Sequence, residues 1–414
     1  MSTSPPVVVV GGGAAGLMAA IHAAEGARPV VLVERSRDGG RKILISGGGR
    51  CNVLPSTVDE RRFVTASSPN TFRKILRSWP LREQRAFFAE TLGIPLVREE
   101  ETGKLFPESN RARDVRDALV GLARERGVKI WFDASVEALA PEPGGGWTVG
   151  LADAPPVRAA VVILATGGLS VPKTGSDGTG LGILEGLGHT VHPTYPALTP
   201  LTVDPPRFAE LAGISLEVTI EVPEAGFQTR DGFLFTHRGY SGPAVLDVSH
   251  LVVRPRLEGR EPPVPRVRWT ERDAEGWDDA LREGGSATVG STVRPHLPTR
   301  LAEALIREAK SAPERPLAQL PRAERERLVE ALARYPLPVT GDEGYRKAEV
   351  TGGGVALGEV NPRTLESRLH PGLHLCGELL DAFGPIGGYN FLWAWATGRA
   401  AGRGAAASGA SGAA

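Results

Sequence analysis

The stretch VVVVGGGAAGLMAA, Val7 to Ala20, constrains this chain more than any other part of it. Four consecutive valines read as a buried strand, the glycines as a tight turn, and the alanine-rich run as a helix from Ala14 to about Glu25. PVVLVER then supplies a second strand ending at Glu34 and Arg35, which completes one βαβ unit. Within it, Gly11-x-Gly13-x-x-Gly16 has the spacing of a dinucleotide-binding turn. Gly11 allows the turn, Gly13 lets backbone approach a pyrophosphate, and Gly16 lets the helix pack against the strand. The helix start at Ala14 and Ala15 offers N–H groups and positive potential to phosphate. Glu34 stands where an acid takes the adenosine ribose hydroxyls, and an acid there disfavours a 2′-phosphate. This motif alone leaves FAD and NAD both open.

A chain of 414 residues exceeds what one core usually organises, so two or three domains are expected. The 48 basic and 48 acidic side chains cancel, which argues against a whole-chain electrostatic footprint for nucleic acid. With only Cys51 and Cys376, far apart, neither a redox dithiol nor a structural zinc site is expected, no histidine shows metal-ligand spacing, and a reducing cytoplasm is the natural compartment. No signal peptide and no apolar window of membrane-spanning length is visible. The small-residue tail AAGRGAAASGASGAA reads as a frayed terminus.

After the βαβ unit come a Gly-rich loop, Asp38 to Asn52, and two arginine-rich helical stretches, PNTFRKILRSWPLREQRAFFAETLG and SNRARDVRDALVGLARERGV. In the second, Val115, Leu119 and Leu122 recur at helical intervals, so the arginines read as a solvated face. KIWFDASVEALA reads as a strand, GWTVGLA as its hairpin partner, and AAVVILATGG as a β-rich run ending in glycine. Beyond about Val191 prolines and strand-like alternation appear, as in ISLEVTIEV, followed by a helical stretch from about Thr299 to Tyr335. Glycine-rich sequence returns after Tyr345. The expected fold class is therefore α/β: a Rossmann-like nucleotide domain in two pieces, 1–190 and 346–414, around an inserted domain at 191–345. The insert is β-rich over about 191–295 and helical over about 296–345.

Six segments carry a resemblance that covers nearly the whole chain in order: GGRKILISGGGRCN (Gly39 to Asn52), ATGGLSVPKTGSDGTG (Ala165 to Gly180), GHTVHPTYPALTPL, FTHRGYSGPAVLDVS, AEVTGGGV, and LCGELLDAFGPIGGYNFLWAWATGRAAG (Leu375 to Gly402). By these the chain resembles the BaiN/YhiN-like family of NAD(P)/FAD-dependent oxidoreductases, which have a glutathione-reductase-type FAD-binding fold. The resemblance implies FAD as cofactor and a first Gly-rich loop running beside it. In that loop Arg41 and Lys42 supply cations, and Gly47, Gly48 and Gly49 supply bare N–H groups, followed by Arg50. Ser46 and Asn52 are candidates to bond the ribityl chain or pyrimidine edge. Cys51 reads as a small buried hydrophobe, with a nucleophile as the alternative.

The resemblance also places Ala165, Thr166, Gly167 and Gly168 near the adenine side; the alternative is a strand end without ligand contact. It gives Glu378, after Gly377, a ribityl hydroxyl. Gly387, Gly388, Tyr389 and Asn390 lead into the last helix, whose amino end suits the flavin N1–C2 carbonyl region, where negative charge gathers on reduction; the alternative is a plain Gly-rich helix start. Trp393 and Trp395 read as core packing. In the insert, His237 and Arg238 are the candidate catalytic pair, binding a carboxylate or donating a proton, with a domain-docking contact as the alternative.

The expected activity is hydride transfer at flavin N5 to a small organic substrate, with enone C=C reduction and NAD(P)H as a transient donor implied by the resemblance. No second Gly-x-Gly-x-x-Gly unit offers NAD(P)H its own domain. Neither a nucleic-acid nor a membrane partner is expected, and oligomeric state is not legible. The alternative is a flavin-dependent RNA-modifying or RNA-binding protein, for which the arginines from Arg73 to Arg85 and Arg111 to Arg126 speak and the zero net charge does not. A non-catalytic flavin-binding regulator is a third reading.

Overall fold

The structure, a computed structural model, describes residues 4–282 and 286–408. The chain divides into two units, Met1–Tyr195 with Val350–Ala414, and Pro196–Glu349. In the first unit β1 (Val7–Val10), β2 (Val30–Val33), β3 (Lys129–Trp131), β4 (Val161–Leu164) and β5 (Leu373–Leu375) form a parallel sheet in the order β5-β4-β1-β2-β3. Every residue of β1, β2 and β4 is buried, which is why these strands read as unbroken apolar runs rather than alternating ones. From β1 the chain proceeds to β2 on one side, and β4 returns on the other. The carboxyl ends of β1 and β4 therefore flank the switch point at which open α/β sheets take ligands.

Helix α1 (Ala14–Ala23) follows β1, and the same unit includes, among other helices, α2 (Arg41–Ile45) and α3 (Ala112–Glu125). The closing helix α4 runs from Tyr389 to Ser408, so the expectation of a frayed tail is wrong up to Ser408. Residues 409–414 lie outside the described part. The small residues are the reason the helix packs as it does. A Cβ on Gly398 would sit 2.4 Å from the Ala15 carbonyl oxygen, and one on Gly402 2.3 Å from that of Ala19, so α4 lies directly on α1. Ala401 and Ala405 are fully buried there.

Two further expectations need correction. KIWFDASVEALA is not one strand: it divides into β3 and Val136–Pro141, with Asp133 at φ 53° turning the chain between them. Val136–Pro141 instead pairs with Trp147–Leu151 in a small antiparallel sheet. In α3, Val115 and Leu119 are buried as their spacing predicts, but Arg116 is not on a solvated face. It is 7% exposed and donates to the Asp38 carbonyl at 3.0 Å.

The second unit is built on a seven-stranded antiparallel sheet whose long central strands are Ser215–Val222 and Phe227–Phe235. Phe233, Phe235, Tyr240 and Trp269 fill its core. The stretch expected to be β-rich also contains a 15-residue helix, Pro243–Leu257, opened by a proline that needs no N–H partner at that position. The expected helical stretch is two helices, Thr299–Glu308 and Arg322–Ala333, separated by a segment with Pro313, Pro316 and Pro321. Among the described residues no helix is long and apolar enough to cross a membrane.

Candidate functional site

The turn after β1 separates its glycines by function. Gly11 takes φ +103°, and a Cβ on it would meet the Ala165 carbonyl oxygen at 2.5 Å. A Cβ on Gly16 would fall 1.8 Å from the Gly11 carbonyl oxygen. At Gly13 the same atom would meet nothing within 4 Å. Two of the three glycines are thus demanded by the protein's own packing, and the third borders open space at the start of α1. No side chain caps that helix and no acid lies in its first turn, so its leading N–H groups remain available to an anion. Glu34, 7% exposed, accepts from Gly12 N at 2.6 Å and Ser36 N at 2.7 Å. It braces the glycine turn as well as facing it, and Ser36 is a partner that sequence reasoning missed.

The loop from Gly39 to Asn52 surrounds α2. Gly47, Gly48 and Gly49 take φ +55°, +67° and +85°, and Gly48 borders open space. Arg41 bonds Asp38 at 3.0 Å and reaches the Lys173 carbonyl at 3.4 Å. Arg50 pairs with Glu99 at 2.9 Å, its guanidinium 4.1 Å from the Phe106 ring centroid. Ser46 donates to the Ile43 carbonyl at 2.8 Å. Asn52, with its amide turned to donate to the Leu54 carbonyl, accepts from Gly388 N at 3.1 Å and so joins this loop to the start of α4.

Cys51 is fully buried, and burial pushes its thiol up to about 12 despite a hydrogen bond from Ser46. Cys376 is also buried and free, with its thiol likewise raised by burial. Thiolate, not thiol, reacts, so a disulfide-exchange reagent at pH 8 is expected to find no reactive thiol in the native protein and two after denaturation. Rapid native labelling of Cys51 would restore the nucleophile reading.

Beyond β4 the chain enters ATGG. The Thr166 hydroxyl is buried without a partner among the described residues, and Gly167 takes φ +76°. Arg35 pairs with Asp177 beside it. Glu378 is the centre of the polar network here. It receives Lys42 Nζ at 2.5 Å, Ser170 Oγ at 2.5 Å and Thr351 N at 2.9 Å. Thr351 in turn accepts from Leu169 N at 2.7 Å and Ser170 N at 3.1 Å. Burial raises the Glu378 pKa, but the charge of Lys42 and the hydrogen bonds from Lys42, Ser170 and Thr351 outweigh it and hold the carboxyl below its ordinary value. The expected ribityl ligand is therefore first of all the anchor that draws the Gly-rich loop, the ATGG segment and the strand bearing Thr351 together.

Gly377 N donates to Thr397 Oγ1 at 3.0 Å, and Trp393 Nε1 to the Gly377 carbonyl at 3.2 Å. Trp395 Nε1 donates to the Val53 carbonyl at 3.1 Å. Both indoles are buried in the core and also fix loops of the site. Asn390 braces its own turn, accepting from Gly384 N and donating to the Gly384 carbonyl, both at 2.9 Å. Tyr389 is buried against Phe63, and Gly387 takes φ +116°. Asp381, a lone acid in an apolar run that sequence reasoning passed over, accepts from Thr65 Oγ1, Ala66 N, Ser67 N and Ser67 Oγ between 2.8 and 3.0 Å.

The candidate cofactor residues all belong to the first unit. His237 and Arg238 belong to the second, exposed in a tight turn closed by Thr236 N to the Gly239 carbonyl at 2.9 Å. One constellation in the first unit imitates catalysis without supporting it. His189 contacts Glu359 at 2.8 Å and Ser367 Oγ at 3.1 Å. Ser367 Oγ also accepts from Leu369 N and His370 N, and the His189 side chain is wholly buried, so the trio ties a loop down.

An open glycine at an uncapped helix start, an acid on the second strand and an orphaned buried hydroxyl fit a dinucleotide with its diphosphate against α1. Over 400 residues the chain is 34% identical to the 3-dehydro-bile acid delta(4,6)-reductase of Clostridium scindens, covering 94% of this chain and 96% of that protein. It is also 34% identical over 400 residues to the ribosomal RNA dihydrouridine synthase of Escherichia coli, covering 92% and 93%. Among solved structures, the 3-ketosteroid delta1-dehydrogenase of Sterolibacterium denitrificans covers 98% of this chain and is itself wholly covered, with a TM-score of 0.54 at 12% identity, a likeness of fold. The family model described as the HI0933-like protein Rossmann domain matches residues 5–404, and the chain belongs to that family.

Proposed function

We propose that the protein is an FAD-dependent oxidoreductase that saturates a carbon–carbon double bond conjugated with a carbonyl in a small organic substrate, with NAD(P)H as electron donor. The observation that carries this reading is the uncapped start of α1 with open space at Gly13 and Glu34 beside the glycine turn, in a chain 34% identical to a reductase over nearly its whole length. When bound, FAD supplies hydride chemistry that no side chain of the protein offers. The α1 amino end would hold the diphosphate and Glu34 the adenosine ribose, using the acceptor capacity it does not spend on Gly12 and Ser36. The turn from Gly387 to Asn390, braced by Asn390, would present N–H groups to the pyrimidine end of the flavin. Lys42, neutralised by Glu378, would order the Gly-rich loop along it. His237 and Arg238 would serve the substrate, as proton donor and as carboxylate anchor.

A second reading has its own support. A 3-oxo steroid with Δ4,6 unsaturation and the uracil ring of uridine both carry a C=C conjugated with a carbonyl, so the same hydride chemistry serves a ribosomal RNA uridine. Two relatives named ribosomal RNA dihydrouridine synthases, from Escherichia coli and Haemophilus influenzae, favour it.

Anaerobic stopped-flow separates the two. The purified protein should carry releasable FAD, bleach with NADH or NADPH, and regain its flavin colour when mixed with a steroidal enone. Recolouring by unmodified ribosomal RNA and not by the enone would establish the second reading. A colourless protein that cannot be reconstituted with FAD, or a reduced flavin that neither acceptor reoxidises, would end both. In the same assay His237→Ala should slow recolouring and leave flavin content unchanged.

A further inference from the structure

In the second unit, Thr219 lies directly opposite Arg230 on one neighbouring strand and Arg268 on the other, so the three side chains form a row across one face of the sheet. Over the Thr219 and Arg230 part of this row lies a cleft of about 500 Å³, lined among others by Glu217, Thr219, Arg230, Thr270, Arg272 and His296. Its charges are unequally satisfied. Arg230 pairs with both Glu217 and Glu271 and so ties up the two acids of the cleft wall. Arg268 is left with long contacts, 3.4 Å to Thr219 Oγ1 and 3.5 Å to the Glu271 carbonyl, and its buried Nε has no acceptor among the described residues. Arg272 forms no ion pair among the described residues; its guanidinium rests 5.4 Å from the Trp277 ring centroid.

Trp277 stands behind the wall made by Arg272 and His296, its ring edge-on to His296 at 5.4 Å. It is completely buried, and its indole N–H also lacks an acceptor among the described residues. Neither Arg268 nor Trp277 lines the cleft itself, but each adjoins a residue that does, Arg268 next to Thr219 across the sheet and Trp277 behind Arg272 and His296, and a buried N–H donor without a partner is a cost that an added acceptor relieves. The His296 pKa is lowered, first by burial and then by Arg272, which leaves at neutral pH an imidazole with one N–H to give. Surplus donors drawn from a strand, the loop after it and the Arg294–His296 turn suit a group with several acceptor oxygens and a negative charge.

We propose that this cleft is an oxyanion site that takes a phosphate group, either free or within a nucleic-acid backbone, and that Arg268 and Arg272 are the residues that hold it. The site lies within the second unit and uses none of the residues assigned to the dinucleotide.

The test uses the flavin-loaded full-length protein labelled with ¹⁵N-tryptophan, the Trp277 indole signal being assigned by its loss in Trp277→Phe. Inorganic phosphate is titrated against chloride at constant ionic strength. The expected result is a saturable shift of the Trp277 signal with phosphate, and binding weakened about tenfold in Arg272→Gln, the loss of a charge-assisted fork. Arg272→Lys keeps the stem over Trp277 and should recover only part of the affinity, and Arg268→Gln should repeat the loss should Arg272→Gln fail to fold. Displacement of phosphate by a short single-stranded RNA identifies the backbone as the source, and no displacement identifies free phosphate. A Trp277 signal that moves no differently in phosphate and chloride, or folded Arg272→Gln and Arg268→Gln proteins that titrate like the parent, overturns the proposal.

Discussion

Gly16→Ala is expected to destabilise the first unit severely, and Gly13→Ala is expected to leave its stability nearly unchanged while obstructing the space at the start of α1. The two substitutions add the same methyl group three residues apart. At Gly16 that methyl would lie 1.8 Å from the Gly11 carbonyl oxygen, so α1 would have to lift off β1 and disturb a wholly buried strand at the middle of the sheet. A cost of roughly 3 kcal/mol or more is expected, at the top of the range for overpacking. At Gly13 the methyl meets nothing within 4 Å, and φ −77° suits any L-residue, so stability should change by about 0.5 kcal/mol or less. It would fill space that a diphosphate needs. Thermal unfolding and FAD retained per chain after gel filtration read the two effects separately. A Gly13→Ala protein that keeps its full flavin content would show that the cofactor lies elsewhere.

The second large effect is expected at the pair of Lys42 and Glu378. Lys42→Met should destabilise the first unit by about 2 kcal/mol at neutral pH. That is less than for a fully buried pair, because the Lys42 and Glu378 side chains keep 26% and 18% of their exposure. Glu378→Gln alone should cost as much, since it strands the ammonium. The double variant Lys42→Met with Glu378→Gln should recover at least half of the summed loss, because neither charge is left alone. The folded-state pKa of Glu378 is depressed, so its contribution is present above the ordinary carboxyl range and lost as pH falls through the folded value. In Lys42→Met that value rises, and acid unfolding should begin at higher pH. The gap from wild type should then close as Glu378 takes its proton in both. Additive single losses would show that the pair is not coupled.

What was legible in the sequence is what local chemistry dictates. Val7–Val10 announce a doubly covered strand because burial on both faces leaves no polar position, and Glu34 is found by counting from the glycines. Residues whose partners are far along the chain were not legible. Arg116 sits one residue after the core position Val115 and looks like any helical surface arginine, yet its guanidinium reaches the carbonyl of Asp38. Thr351 and Ser170 look like ordinary loop residues until both are seen on the Glu378 carboxylate. The small residues of Ala400 to Ser408 mislead in the opposite direction: composition suggests a loose end, while close approach of two helices demands just such side chains.

The mating of α1 with α4 carries a consequence for biosynthesis. α1 is synthesised within the first two dozen residues, but the helix that covers it, α4, and the edge strand β5 are synthesised only after the entire second unit. Until then the apolar flank around Ala19 and Ala20 has no native cover, so truncation inside α4 is expected to be far more damaging than its bland composition suggests.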